Sequence, residues 1–290
     1  MADHIRLIWS SVTAYLVNHT STAQCGIRLS AEKIPLANTR LCRYTESVST
    51  LYIVGTPIGN LGDITFRALE TFRNADVIAA EDTRHTLQLL THFDIRKPLV
   101  SCRAQNEAAA AGKIIKMLDD GQTVAYASDA GTPGISDPGA VLAGLARRAG
   151  HRVVPIPGAS AFASLVSVAG AGGKTLVFEG FLSPKPGRRR ARLRELLASG
   201  DALVLYESPF RIVKFLADIA DIDGERRVVV GRELTKLHEE IVEGTAREIY
   251  NEFAARNKIL GEFAVFIAGN KNVKLSDESA DNSSIEAGNV

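Results

Sequence analysis

From Leu51 onward the chain alternates short apolar runs with amphipathic stretches. LYIV (51–54), DVIAA (76–80), PLV (98–100), TVAYA (123–127) and RVVPI (152–156) are short apolar runs with several β-branched residues, and most are bounded by turn-forming residues. That pattern predicts strands. The clearest intervening helix is Asn106 to Asp119, where Ile114, Ile115 and Leu118 recur at helical spacing in an Ala-rich run ended by Gly121. Strands separated by helices fold as βαβ units around a mostly parallel sheet. After Pro155-Ile156-Pro157-Gly158 the alternation restarts. TLVFEG (175–180), ALVLYE (202–207) and RRVVVG (226–231) predict strands, with helices over 188–198 and 209–220 between them. IVEG (241–244) and EFAVFIAG (262–269) predict a closing, antiparallel pair. The fold class is therefore α/β, with one domain over 51–156, a second over 157–270 and a ligand cleft between them. Two prolines and a glycine in four residues suit a rigid hinge.

The ends read differently. Residues 1–50 include LIWSSVTAYLV (7–17) behind Arg6, but Ser10, Ser11 and Thr13 interrupt the apolar stretch and no small-residue cleavage site follows. The expectation is a poorly ordered extension, or a start codon placed too early. Residues 271–290 are polar and acidic and are expected to be a disordered tail. Composition narrows the class. Hydrophobic residues make up 46% of the 290 and charged residues 23%, a globular mixture that excludes a disordered chain, a collagen or a coiled coil. Lys and Arg number 34 against 33 Asp and Glu, so a polyanion would have to be met by a local patch. Three scattered cysteines give neither a disulfide framework nor a metal-ligand spacing. No apolar run approaches the length of a membrane span, and a cytoplasmic setting is expected.

Several segments carry more than strands and helices require. VGTPIGNLGDIT (54–65) ends a strand in a Gly/Pro/Asn loop, then starts a helix at Asp63 or Ile64. Its Gly55, Gly59 and Gly62 allow a ligand close to the backbone, while a plain βα turn with an Asp cap explains them equally. It is neither G-x-G-x-x-G nor Walker A. SDAGTPGISDPG (128–139) follows a strand, at the end where α/β proteins bind ligands, and is denser in Gly, Pro and Asp than a turn needs. Asp129 there can accept hydrogen bonds from a hydroxyl or amino group. Ser136 or Asp137 can cap the next helix. EDTRHT (81–86) and Asn106-Glu107 follow strands two and three, and read either as capped helix starts or as a site. In LYESPFR (205–211), Ser208 and Pro209 suit the cap and first position of a helix. Arg211 opposes that helix's dipole, so it asks for a partner, an anionic ligand among the options.

The run SPKPGRRRARLRE places Lys185, Arg188, Arg189, Arg190, Arg192 and Arg194 on a helix whose Leu193, Leu196 and Leu197 face a core. One acid, Glu195, lies nearby in sequence. The unbalanced charge favours phosphate contact over a plain solvated face.

Taken in order, LYIVGTPIGNLGDIT, AEDTRHT, SDAGTPGISDPG, IPGAS, FEGFLSPKPGRRR, LYESPFRI and GRELTKLHEEIVEGT resemble the 16S ribosomal RNA cytidine 2′-O-methyltransferase family, over about Leu51 to Gly269. The resemblance implies the two-domain tetrapyrrole-methylase fold, S-adenosylmethionine in the cleft, and a cytidine 2′-OH of 16S rRNA in the 30S subunit as acceptor. It implies a homodimer, with no membrane partner. It places Pro57, Asp129, Gly131, Thr132 and Ile135 along the cofactor, with Ala159, Ser160, Tyr206, Glu207 and Leu234 completing the pocket. Glu81, Asp82, Arg84, Asn106 and Glu107 would face the acceptor, and Arg211 and the arginine run would contact RNA. Many members carry a helical module after the last strand, whereas here a polar tail follows Gly269, so RNA grip falls to the Arg188–Arg194 run. SCRAQ stands where the family has His/Tyr-rich residues.

Methyl transfer from a sulfonium is an in-line displacement, in which positioning supplies much of the rate. A carboxylate accepting the hydroxyl proton would assist. Glu81, Asp82 and Glu107 are the candidates. Two rivals are the same fold acting on a tetrapyrrole or other small acceptor, and a ribosome-binding protein that keeps the pocket without catalysis.

Overall fold

The structure, a computed structural model, describes residues 49–170 and 175–270. The readings of a secretory-like stretch and N-terminal extension, and of an acidic tail, lie outside the described residues, apart from Ser49 and Thr50. Thr50 begins the first strand.

The first half is a five-stranded sheet in the order β3-β2-β4-β1-β5. Its strands are β1 (Thr50–Val54), β2 (Val77–Ala80), β3 (Leu99–Ser101), β4 (Val124–Ala127) and β5 (Arg152–Ile156). Every pairing is parallel. The helices are α1 (Phe66–Asn74), α2 (Thr83–His92), α3 (Glu107–Asp119) and α4 (Ala140–Arg148). The two-residue period of a strand sends side chains to opposite faces. In β4, Val124 and Tyr126 pack with Ala110, Ile114 and Leu118 of α3 and Leu142 of α4. Ala125 and Ala127 pack on the other face, with Phe72 of α1 and Leu90 of α2. Helices on both faces explain why these strands read as continuous apolar runs.

The second half is a mixed sheet, β6-β7-β10-β8-β9. It comprises β6 (Leu176–Phe181), β7 (Ala202–Glu207), β8 (Arg227–Arg232), β9 (Glu240–Thr245) and β10 (Phe263–Ile267). β6 and β7 are parallel, and β10 lies antiparallel between β7 and β8. β9 also runs antiparallel to β8. The expected closing pair of 241–244 with 262–269 is thus corrected: both strands are antiparallel, but each pairs with β8 rather than with the other. β10 is apolar throughout because both its faces are covered, so it belongs inside the sheet. One face carries α6 (Pro186–Ala198), α7 (Ile212–Ile222) and α8 (Ala246–Ala254). The other receives Leu165 of α5 (Ala161–Val168), the helix that follows β5.

Helix starts also depart from expectation. The loop after β1 forms a single 3-10 turn over Leu61–Asp63, and α1 begins at Phe66 with Thr65 as its cap. The Thr65 hydroxyl accepts the Ala68 N–H at 3.1 Å, a bond whose loss costs about 1 kcal/mol. Asp63 therefore caps nothing there. α7 begins at Ile212, not at Pro209. The carbonyl of Ser208 accepts from the N–H groups of Arg211 and Ile212, so this turn is closed by backbone and not by the Ser208 hydroxyl. Among the described residues no helix is long and apolar enough to cross a membrane.

Candidate active site

Where β1 and β5 end, two glycines touch. The N–H of Gly55 donates to Ile156 O at 2.9 Å, and a Cβ on Gly55 would lie 2.7 Å from Gly158 N. This close approach turns both chains outward, one into the 56–65 loop and the other towards α5. The 128–139 loop then joins the 56–65 loop. Thr56 N–H donates to Gly131 O at 2.9 Å, and Gly131 N–H returns a bond to Thr56 O at 3.1 Å. Gly131 sits at φ +81°, a conformation that favours glycine. The Thr132 hydroxyl bonds Ala159 O at 3.4 Å, which ties in the loop after β5.

The joined loops face the second sheet across a cavity of about 410 Å³. Gly131, Thr132, Ile135, Asp137 and Ser160 line it from one side, and Phe181, Tyr206, Glu207, Leu234 and Ala264 from the other. The loop reaches fully across, since a Cβ on Gly180 of β6 would lie 2.8 Å from Ser136 Oγ. A second cavity of about 340 Å³ adjoins it, lined by Thr56, Pro57, His85, Gln88, Ser128 and Asp129 among others. Ile58, Ala130, Lys236 and Glu262 line both.

Most residues expected around the cofactor converge on the first cavity. Gly131, Thr132, Ile135, Ser160, Tyr206, Glu207 and Leu234 line it. Ala159 acts through its carbonyl on Thr132. Pro57 and Asp129 line the second cavity instead. The Tyr206 hydroxyl accepts the Phe162 N–H at 3.0 Å, at the start of α5. Glu207 is 2% exposed and holds two partners: its Oε1 accepts the Ser208 N–H at 2.7 Å and its Oε2 pairs with Arg211 at 2.7 Å. Arg211 also donates to Leu182 O at 2.8 Å. The partner that Arg211 asks for is therefore Glu207, and this pairing accounts for the residue without an anionic ligand.

The three candidate bases have separate fates. Glu81 and Asp82 clasp Asp129 reciprocally: Asp129 N–H donates to Glu81 Oε2 at 3.2 Å, and Asp82 N–H donates to Asp129 Oδ1 at 3.0 Å. Burial raises the Glu81 pKa above its ordinary value, and the charges of Asp129 and Asp82 add to that, against the opposing Asp129 N–H. Asp82 caps α2 and pairs with Arg84, whose guanidinium donates at 3.1 Å and 2.6 Å. Those bonds hold the Asp82 carboxyl well below the usual range. Glu107 Oε1 accepts the N–H groups of Gly139, Val141 and Leu142, at 2.8, 3.1 and 3.2 Å. A carboxylate from the start of α3 thus caps α4, the task expected of Ser136 or Asp137. Asn106 is likewise engaged locally, its Oδ1 accepting the Arg103 N–H at 3.0 Å.

Asp137, released from capping, lines the first cavity, and its carboxylate has no hydrogen bond among the described residues. Burial, then the charges of Glu81, Asp129 and Glu262, push its pKa up to about 6. Sequence reading offered it, with Ser136, as the cap of the next helix, whereas the capping group comes from another helix. That reading passed over Lys236 and Glu262, although the first lies in a motif that was singled out.

Three arginines of the run are held by acids of the protein itself. Arg189 is 4% exposed and its Nε meets Asp218 Oδ2 at 2.7 Å. Arg190 pairs with Asp218 at 3.3 Å and Asp221 at 3.2 Å. Arg192 forks onto Glu179 at 2.8 and 2.9 Å and pairs with Glu195 at 2.8 Å. Apart from Glu195, the balancing acids come from β6 and α7, out of reach of a count along the sequence. Arg188 and Arg194 are exposed.

Comparison with known proteins agrees with this architecture. Residues 50–250 match the model of the tetrapyrrole (corrin/porphyrin) methylases. The chain is 44% identical over 219 residues to the "Ribosomal RNA small subunit methyltransferase I" of Borrelia garinii subsp. bavariensis, covering 75% of this chain and 98% of that one. It is 47% identical over 222 residues to the protein of the same name from Xylella fastidiosa, covering 76% and 81%. The chain belongs to the ribosomal RNA small subunit methyltransferase I family. A solved cobalt precorrin-4 methyltransferase shares the fold of this methyltransferase, with TM-score 0.56 at 16% identity over 79% of this chain and 98% of that chain.

Proposed function

We propose that this methyltransferase moves a methyl group from S-adenosylmethionine to the ribose 2′-oxygen of a cytidine in 16S rRNA of the 30S subunit. The supporting observation is the pair of joined cavities: one largely apolar with an unpaired, half-buried carboxylate, Asp137, the other opening beside it. When bound, the cofactor supplies an electrophilic methyl on a positively charged sulfur. The first cavity suits such a molecule. Ile58, Ile135, Phe181 and Leu234 offer apolar walls for a nucleoside. Asp137, unpaired and crowded by other carboxylates, gains most from a cation.

The second cavity takes the acceptor ribose. Of the three carboxylates, Glu81 serves as proton acceptor: it lines neither cavity itself but holds Asp129 at the wall of the second, its pKa is raised, and its Oε1 has no hydrogen bond among the described residues. Its position depends on Asp129, whose N–H holds the other oxygen. Asp82 orients that clasp and holds Arg84, and Glu107 supports the loop from behind. Arg188 and Arg194 remain available for phosphates. Homodimer assembly and a cytoplasmic setting complete the reading, and light scattering of the purified protein tests the first.

The deciding experiment incubates purified protein and labelled S-adenosylmethionine with 30S particles from cells lacking the gene, followed by nuclease digestion and mass spectrometry. The expected product is 2′-O-methylcytidine at one position. Label on a base, or none in 16S rRNA, would refute the proposal.

A further inference from the structure

Lys236 stands at the junction of the two cavities, and of the residues lining either it is the only lysine or arginine. It rests on a built support. Its Nζ donates to Glu233 Oε1 and to Glu262 Oε2, both at 2.9 Å. Its stem lies against Gly59 of the other half, where an added Cβ would collide with Lys236 Cγ. Glu233 is itself stapled to the start of β10: its N–H donates to Glu262 O, and its Oε1 accepts the Glu262 N–H, both at 2.9 Å. Glu233 and Thr235 both hold left-handed backbone, with φ of +49° and +68°. Non-glycine residues in that region are uncommon and concentrate at functional sites. This much construction is unnecessary for a surface lysine.

Resting on the methyl-transfer reading above, we propose that Lys236 is a catalytic residue whose ammonium donates a hydrogen bond to the acceptor ribose oxygen at the cavity junction. An ammonium has three donors, and Glu233 and Glu262 take two. The third is free for the reacting oxygen. Lys236 is not the base: burial opposes its charge, but the bonds to the two carboxylates outweigh this and keep it protonated above its ordinary range. In the step, a bond forms between the 2′-oxygen and the methyl carbon. The bond from that carbon to sulfur breaks, and its electron pair stays on sulfur. The hydroxyl proton passes to the Glu81 carboxylate. Oxygen gathers negative charge as its proton departs, and a fixed cation there stabilises it without reorganisation.

The test uses the full-length protein with 30S particles, K236M and K236R. K236M should lower the single-turnover methylation rate by about 10²–10³-fold, the usual effect of losing one such donor. Its dissociation constant for S-adenosylmethionine should stay within threefold of wild type. K236R should keep more of the rate than K236M. In K236A, added ethylammonium chloride should restore part of the rate in proportion to its concentration, whereas sodium chloride should not, a response that a merely structural lysine would not give. A K236M rate within fivefold of wild type, a matching loss of cofactor affinity, or no response to ethylammonium would overturn the proposal. Wild-type protein that leaves 30S particles unmethylated would overturn the rRNA reading and this one together.

Discussion

Gly55 and Gly158 press backbone against backbone: a Cβ on Gly158 would lie 2.6 Å from Gly55 O, and one on Gly55 would lie 2.7 Å from Gly158 N. Neither neighbour is a flexible side-chain end, so it is backbone that would have to shift. Gly158→Ala should therefore displace the loop after β5, and with it the Ala159 carbonyl that holds Thr132. The expected result is a loss of about 1–3 kcal/mol in stability, the usual range for overpacking, together with weaker cofactor binding. Chemical denaturation and calorimetry on G158A check both.

Asp137 sets a pH dependence. Its carboxyl is ordinary at 3.8 and raised to about 6 in the fold, chiefly by burial and then by Glu81, Asp129 and Glu262. Glu207, also in the cavity, is already paired with Arg211, and Lys236 with Glu233 and Glu262. Because the folded pKa is raised, the benefit of the neutral form is complete below about 4 and is lost as pH rises through 6. A bound cation reverses that cost. Affinity for S-adenosylmethionine should rise up to about tenfold per pH unit below 6, then level off. D137N should flatten the curve, and titration calorimetry between pH 5 and 8 would measure it.

Glu107 separates scaffold from chemistry. E107A strips three N–H groups at the start of α4 of their acceptor and should cost about 2–3 kcal/mol, since bonds to a charged group are the stronger kind. E107Q keeps an acceptor oxygen and should cost about 1 kcal/mol or less. Methylation by E107Q should stay near wild type. A collapse of its rate with unchanged melting temperature would return Glu107 to the candidate bases.

Arg188 and Arg194 should behave differently from Arg189. R188Q/R194Q should fold normally, raise KM for 30S particles and reduce the log–log salt slope by about 0.7–0.9 for each phosphate that the protein no longer neutralises. R189M leaves Asp218 with less of its buried pairing and should cost about 3–5 kcal/mol without a specific effect on KM. Equal KM effects from both variants would show the paired arginines also touching RNA.

These contrasts mark where sequence reading stopped. Strand positions were legible because β-branched runs bounded by turn residues carry their own signal, and the loops at strand ends were legible by excess Gly, Pro and Asp. Glu107, Asp137 and the arginine run were not, because their meaning depends on partners brought in by the fold. Glu107 lies 32 residues from Gly139, and Arg189 lies 29 from Asp218. The order of the second sheet was hidden for a related reason: two antiparallel strands late in a sequence look like each other's partners unless the apolar continuity of one marks it as central.

That central place of β10 bears on how the polypeptide matures during translation. All five strands of the first sheet are made by Ile156, so that half can assemble while the ribosome is still extending the chain. The second sheet is split until Phe263–Ile267 emerges and fills the gap between β7 and β8. Until then, two open strand edges stand exposed, the kind of surface that invites mispairing between nascent chains. The last described strand to leave the exit tunnel is the one that closes the sheet.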